Sequence, residues 1–145
     1  MKSLITSVTI LLLLTTLSLN VAFAQRPHQK TLDQAVVDGD IERVKSEIAA
    51  GVDINSKNRM GWTLLHIAVN KKHSEIAQLL LEKGADVNIR DNRGRTPVHI
   101  AVETGQKAIV EALIAKGADL NIIDGRADNA LTLARKNNQT EITNC

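Results

Sequence analysis

The stretch from Asn58 to Arg90 falls on the stretch from Asp91 to Ile123 at an offset of 33 residues, without a gap, and 14 of the 33 positions are identical. Among them are Gly61/Gly94, Thr63/Thr96, His66/His99, Gly84/Gly117, Asp86/Asp119 and Asn88/Asn121. The frame runs backward, where Gly51-Val52-Asp53-Ile54-Asn55 matches Gly84-Ala85-Asp86-Val87-Asn88. It also runs forward, where Leu131-Thr132-Leu133-Ala134 matches Val98-His99-Ile100-Ala101. A period of this length makes each unit one supersecondary piece that buries its apolar face only against its neighbours. The chain is therefore a stack, and a globule closed around one centre is excluded.

Within a unit the apolar residues recur at helical spacing. Leu64, Leu65, Ile67 and Ala68 make one stripe; Ile76, Ala77, Leu79, Leu80 and Leu81 make another. The pattern predicts two short helices, each with one buried face. The break between them falls near Lys72-His73 and Gly105-Gln106. Gly39 and Gly105 take a left-handed backbone there at little cost, whereas a side chain at Lys72 is mildly strained. Gly51, Gly84 and Gly117 end the second helices. Asn58 to Gly61 and Asp91 to Gly94 carry tight-turn chemistry. The first helix is expected to start near Thr31, with Thr31-Leu32-Asp33-Gln34 as a capping box.

The head of the chain is different. Met1-Lys2-Ser3 is short and basic, an apolar stretch centred on Leu11-Leu12-Leu13-Leu14 follows, and Ala22-Phe23-Ala24 is a small-x-small cleavage pattern. Residues 1–24 are expected to be a secretory signal peptide, with the mature chain starting at Gln25 and no membrane anchor left after cleavage. Phe23 leaves with it, so Trp62 is the one aromatic residue of the mature chain. A thin core of Ala, Val, Leu and Ile suits stacked helices. Cys145 is the only cysteine, which excludes an internal disulfide. A formal net charge of +2, lowered further by loss of Lys2, is no general attraction for nucleic acid or anionic membrane.

Gly94-Arg95-Thr96-Pro97-Val98-His99-Ile100-Ala101 resembles the G-x-T-P-L-H-x-A signature of the ankyrin repeat, and Gly84-Ala85-Asp86-Val87-Asn88 resembles its G-A-D-V-N segment. The resemblance covers nearly all of the mature chain. It implies an all-α solenoid of stacked helix-turn-helix units joined by β-turn, hairpin-like loops. The expected units are an N-terminal capping repeat at 25–57, repeats at 58–90 and 91–123, and a truncated C-terminal capping repeat at 124–145. Leu64 replaces the motif proline, and Asn129-Ala130-Leu131-Thr132 replaces Thr-Pro-Leu-His. The last helix has room only from about Gln139 to Cys145. Its shortness is expected to leave Ile109, Val110 and Leu113 partly uncovered in a monomeric chain, with local fraying the preferred consequence and weak self-association through that end the alternative.

His66 and His99 sit one repeat apart but have no Cys, Asp or Glu at ligand spacing. The resemblance implies that each, with its preceding Thr, bonds backbone between neighbouring repeats. His28 and His73 read as surface residues. Asp53, Asp86 and Asp119 follow helix-ending glycines and read as loop braces. Asn138-Gln139-Thr140 matches a glycosylation acceptor. No nucleophile elbow, phosphate loop or Cys-His pair is present, so the expectation is no catalytic residue, no cofactor and no metal.

The resemblance implies a concave surface made of turn tips and the exposed face of each first helix. Arg59, Met60, Trp62, Asn70 and Lys71 fall there in the second repeat. Asn92, Arg93, Arg95, Glu103 and Thr104 follow in the third, and Gly125, Arg126, Asp128, Lys136 and Asn137 in the last. Arg59, Arg93, Arg95 and Arg126 recur along one edge and read equally as ordinary solvated turn charge or as a docking strip, since exposed Trp, Met and Arg serve as interface anchors. Lys45, Glu75, Glu82 and Lys83 read as a solvated back. The expected function is a non-enzymatic module of the periplasm, or alternatively the extracellular space, that binds a protein with a partly acidic surface and no nucleic acid. The alternatives are an accessory or immunity-like protein acting on an exported enzyme, and a small hydrolase or redox-associated protein.

Overall fold

A computed structural model describes residues 28–144, with side chains from Leu32 onward. The apolar leader, its Ala24 cleavage point, the His28 side chain and Cys145 lie outside the described residues. Eight helices run in pairs along the described chain. They are α1 His28–Asp38 with α2 Ile41–Ala49, α3 Leu64–Asn70 with α4 Ser74–Glu82, α5 Pro97–Glu103 with α6 Lys107–Ala115, and α7 Ala130–Lys136 with α8 Thr140–Thr143. The described residues contain no strand. The inner helices α1, α3, α5 and α7 stack in one layer, and the outer helices α2, α4, α6 and α8 stack in a second. This is the all-α solenoid that the period requires.

The core lies between the two layers. Leu32, Val36, Val44, Leu64, Leu65, Leu80 and Leu113 are wholly inaccessible to solvent, and Ile76, Ile100 and Ile109 are nearly so. Burying each such side chain contributes about 1.5–3 kcal/mol. Thr63, Thr96 and Asn129 start α3, α5 and α7, and each forms a reciprocal capping box with the third residue of its helix. Pro97 occupies the first turn of α5, where its missing N–H has no helical partner to lose.

The connections inside the pairs repeat one backbone trick. Gly39, Lys72, Gly105 and Asn138 share a register position, and all four are left-handed, at φ 75°, 61°, 68° and 54°. The strain expected at Lys72 is present. Ala127 carries the same strain at φ 63°, at the position of Gly61 and Gly94 in the earlier loops.

Three expectations need correction. Helix α1 already runs from His28, so Thr31 lies inside it and not at its start. Ile109, Val110 and Leu113 are buried, because α8 and the inner layer cover them despite the brevity of α8. His73 is half-buried: its Nε2 bonds the Val37 carbonyl at 3.0 Å and its ring closes over Gly39, tying α4 to the preceding unit.

The loops are hairpins that stack tip to tip. Asn58 N–H donates to the Trp62 carbonyl (2.9 Å), Asp91 N–H to Arg95 (2.8 Å) and Asp124 N–H to Asp128 (2.8 Å). Adjacent tips are then joined by Asn92 N–H to the Met60 carbonyl (3.1 Å) and Gly125 N–H to the Arg93 carbonyl (2.7 Å). These bonds fix the spacing of the hairpins and hence of every side chain they carry.

Candidate partner-binding face

Asn58, Asp91 and Asp124 open the three hairpins and organise them. The Asn58 Oδ1 accepts from the amides of Met60 (2.9 Å) and Trp62 (3.1 Å). Asp91 Oδ1 accepts from the amides of Arg93 (2.9 Å) and Arg95 (2.8 Å), and Asp124 Oδ1 from those of Arg126 (2.8 Å) and Asp128 (3.0 Å). Burial pushes the Asp91 carboxyl up, but the Arg95 amide and guanidinium outweigh it and hold the group below the usual carboxylate range. Asp124 is lowered in the same way, burial again being outweighed by the Asp128 and Arg126 donors. Sequence reasoning places Asp91 in tight-turn chemistry but misses the grip of Asp91 and Asp124 on the arginines of their hairpins.

His66 and His99 are structural, as the resemblance implied. Thr63 N–H donates to His66 Nδ1 at 3.1 Å, so that nitrogen is bare and Nε2–H points at the Arg95 carbonyl, 3.2 Å away in the next unit. His99 repeats the arrangement with Thr96 N–H (3.1 Å) and the Asp128 carbonyl (3.3 Å). Burial lowers the pKa of His66 to about 4 and lowers that of His99 as well. Asp53, Asp86 and Asp119 brace their loops by accepting from the amides of Asn55, Asn88 and Asn121, each at 2.9 Å. Asn55 and Asn88 in turn accept from the amides of Asp86 and Asp119, at 2.8 Å each, which links units along the back.

The face between the hairpin tips and the inner helices has a register of its own. Met60, Arg93 and Arg126 stand at one position of the period; Trp62, Arg95 and Asp128 at a second; Asn70, Glu103 and Lys136, the last residues of α3, α5 and α7, at a third. In the third unit Arg95 bonds Glu103 at 3.1 Å. In the last unit the polarity is reversed, and Lys136 bonds Asp128 at 2.6 Å. Arg126 reaches back to Glu103 of the preceding unit and to Asp124 (3.2 Å). Arg95 also grips Asp91 Oδ2 with its Nη2 (3.0 Å). An open cavity of about 570 Å³ lies among Arg93, Arg95, Glu103, Asp124, Gly125 and Arg126.

This arrangement divides the expected site residues. Arg95, Arg126 and Asp128 belong to ion pairs within the stack, and Asp128 is buried. Trp62 is half-buried against the core, its Nε1–H donates to Asp91 Oδ2 at 3.0 Å, and the Arg95 guanidinium sits 6.0 Å from its ring centroid. It is a strut between two hairpins. The half-buried Thr104 hydroxyl donates to the Ile100 carbonyl at 2.7 Å. Asn92 is exposed, with its amide holding the Arg59 carbonyl at 2.9 Å. Arg59, Met60, Asn70, Lys71 and Arg93 are exposed, and Arg59, Lys71 and Arg93 form no ion pair among the described residues. Lys45, Glu75, Glu82 and Lys83 are exposed on the outer layer, as expected. Carboxylates interleaved with the arginines make the face a poor track for a polyanion. No group of three or more His, Cys, Asp or Glu among the described residues is placed to hold a metal ion. No described helix is long and apolar enough to cross a membrane.

Comparison with known proteins matches residues 32–124 to the family described as Ankyrin repeats (3 copies). The chain is 37% identical over 65 residues to Ankyrin repeat domain-containing protein 40 of Homo sapiens, which covers 44% of this chain and 18% of that protein. It is 44% identical over 55 residues to Notch-regulated ankyrin repeat-containing protein A of Danio rerio, covering 38% of this chain and 49% of the relative. The match to the Homo sapiens Notch-regulated ankyrin repeat-containing protein has the same identity and length. The matched segments thus amount to under a fifth of the first protein and about half of the others.

Proposed function

The chain belongs to the ankyrin-repeat family, whose repeats are protein–protein interaction modules, and from that premise we propose that it binds an acidic segment of another protein along the hairpin–inner-helix face. One observation carries this reading. Arg126 is neutralised by Glu103 of the preceding unit, but one unit earlier, relative to Arg93, the glutamate's register position holds Asn70. Arg93 forms no ion pair among the described residues. Asn70, Lys71, Arg59 and Met60 are exposed in the preceding unit, and Trp62 there is half-buried against the core. A carboxylate there is held by a guanidinium and a side-chain amide, which adds a charge-assisted bond to the apolar contact of Met60 and Trp62.

The face is expected to act outside the cytoplasm. Support comes from the basic head, apolar centre and Ala22-Phe23-Ala24 end of the leader, and a bacterial periplasm is the favoured compartment. Amino-terminal sequencing of the natural protein tests it, with Gln25 as the expected first residue and an intact Met1 as the contrary result.

Affinity capture from the host's envelope fraction tests the face. Arg93→Glu is expected to lose the specific partner, and Asn70→Glu to lose most of it by pairing with Arg93 inside the stack. Lys83→Glu on the outer layer is expected to retain it. Full capture by both Arg93→Glu and Asn70→Glu rejects the assignment.

A further inference from the structure

The ion pairs around Glu103 have the form of a carboxylate clamp. Asp91 holds Arg95 from behind: its Oδ2 accepts from Arg95 Nε at 3.1 Å and from Nη2 at 3.0 Å. The remaining nitrogen, Nη1, donates to Glu103 Oε2 at 3.1 Å. Arg126 is held in the same way one hairpin later, its Nε donating to Asp124 Oδ2 at 3.2 Å and its Nη2 to Glu103 Oε1. Two guanidinium groups from neighbouring hairpins are thus positioned in advance, and each offers N–H to a different oxygen of one carboxylate. Fixed, charged donors in this arrangement suit a planar carboxylate. Glu103 is a weakly placed occupant. It is the last residue of α5, where the negative end of the helix disfavours an anion. Its register counterparts, Asn70 and Lys136, are neutral and cationic. Its partner Arg126 is 62% exposed, so water screens that pair. The clamp also opens on the cavity that Arg93 lines.

We propose that the Arg95–Arg126 clamp is a second carboxylate subsite, that Glu103 fills it as an internal ligand, and that an acidic side chain of the bound protein displaces Glu103 from it. The inference rests on the reading of this face as the docking surface for an acidic segment. It assigns that segment two carboxylates, one for Arg93 and one for the clamp. The occupant is a carboxylate because the structure shows one there, with one oxygen on each guanidinium. The exchange replaces one carboxylate by another, so both arginines remain paired, and Glu103 turns toward the solvent to which it is already 25% exposed. Glu103 thereby competes with the partner and sets how tightly the second acid is held.

The probe is a fluorescein-labelled hexaglutamate peptide, titrated with the purified chain and read by anisotropy. Glu103→Asn installs the residue that ends α3 at the same register, so the helix end accepts it. It is expected to bind the peptide about tenfold more tightly than the natural chain, because the internal competitor is gone. Adding Arg126→Gln to Glu103→Asn should remove the gain. Glu82→Gln on the outer layer changes the net charge by the same amount and should leave the affinity as it was. Arg93→Glu should weaken binding with either residue at position 103. Equal affinity of Glu103→Asn and the natural chain, an equal gain with Glu82→Gln, or no saturable binding to Glu103→Asn overturns the proposal. So does a loss of folding or of affinity in both Glu103→Asn and Glu103→Gln, since Glu103 is then a structural bridge. If Glu103→Asn changes nothing while Arg93→Glu still abolishes binding, the clamp fails and the docking face stands. If Glu103→Asn tightens binding and Arg93→Glu has no effect, the clamp stands and the assignment of Arg93 falls.

Discussion

Lys72 holds a left-handed backbone at φ 61°, where its register partners Gly39 and Gly105 are unstrained. A residue with a Cβ is penalised there by about 1–2 kcal/mol, while a glycine costs the unfolded chain about 0.4–1 kcal/mol of extra entropy. Lys72→Gly is therefore expected to stabilise the fold by about 0.5–1 kcal/mol, read as a higher urea midpoint at unchanged slope. Ala127→Gly should act in the same direction, since Ala127 replaces the hairpin glycine at φ 63°. Asn138 is left-handed too, but asparagine tolerates that region and the gain there should be smaller. A second residue-scale effect concerns pH. Burial lowers the His66 pKa from an ordinary 6.5 to about 4, so between those values the unfolded chain binds more protons than the folded one. Stability from this group is complete above pH 6.5 and is lost as pH falls toward 4, by at most ~3 kcal/mol. His99, lowered in the same direction, adds to the loss. Urea unfolding at pH 7 and pH 5 measures it, and equal stabilities would contradict the buried neutral imidazole.

Each hairpin lies so close to the next that the glycines differ in kind. A Cβ on Gly61 would stand 2.6 Å from Asn92 Oδ1 and 2.8 Å from the Asn92 amide nitrogen, in the bond that joins the two tips. A Cβ on Gly84 meets nothing within 4 Å. Both are left-handed, at φ 74° and 83°, so the backbone penalty is shared. Gly84→Ala is expected to cost about 1 kcal/mol and Gly61→Ala at least ~2 kcal/mol, the excess being the separation of the hairpins. Equal losses in thermal unfolding would show that tip-to-tip contact contributes nothing. The repeat period made the helices, their breaks and the Asp53, Asp86 and Asp119 braces legible in the sequence, because those are contacts within a unit or copies of one. It did not reveal which side chains cross between units. His73 read as a surface residue because its reach to the Val37 carbonyl depends on the stacking distance. Trp62 read as a free anchor because its acceptor, Asp91, lies 29 residues away. The arginines read as one strip; their division into paired and unpaired members depends on what stands at position 70 and at position 103, a difference of residue type at one register position that composition conceals.

A stack in which each unit touches only its neighbours distributes stability by position. Units two and three have a neighbour on both sides, and α3 and α5 each bury six of their seven residues. At the C-terminal end α8 is four residues long and buries none of its side chains fully. α7 buries three residues, and its Leu131 is exposed. The polar links between the third and last units include the Gly125–Arg93 backbone bond, the His99–Asp128 bond and the Arg126–Glu103 ion pair, each ending on a hairpin. Opening the last unit therefore breaks fewer apolar contacts than opening any central one, and it proceeds without global unfolding. Native-state hydrogen exchange should show the amides of Ile100, Ala101 and Val102 exchanging only through global unfolding. Those of Leu133, Ala134 and Ile142 should exchange through a sub-global opening with a smaller denaturant slope. If α7 and α5 exchange with one free energy and one slope, the stack is a single cooperative unit, and the smaller buried area of α7 and α8 does not set the stability of that end.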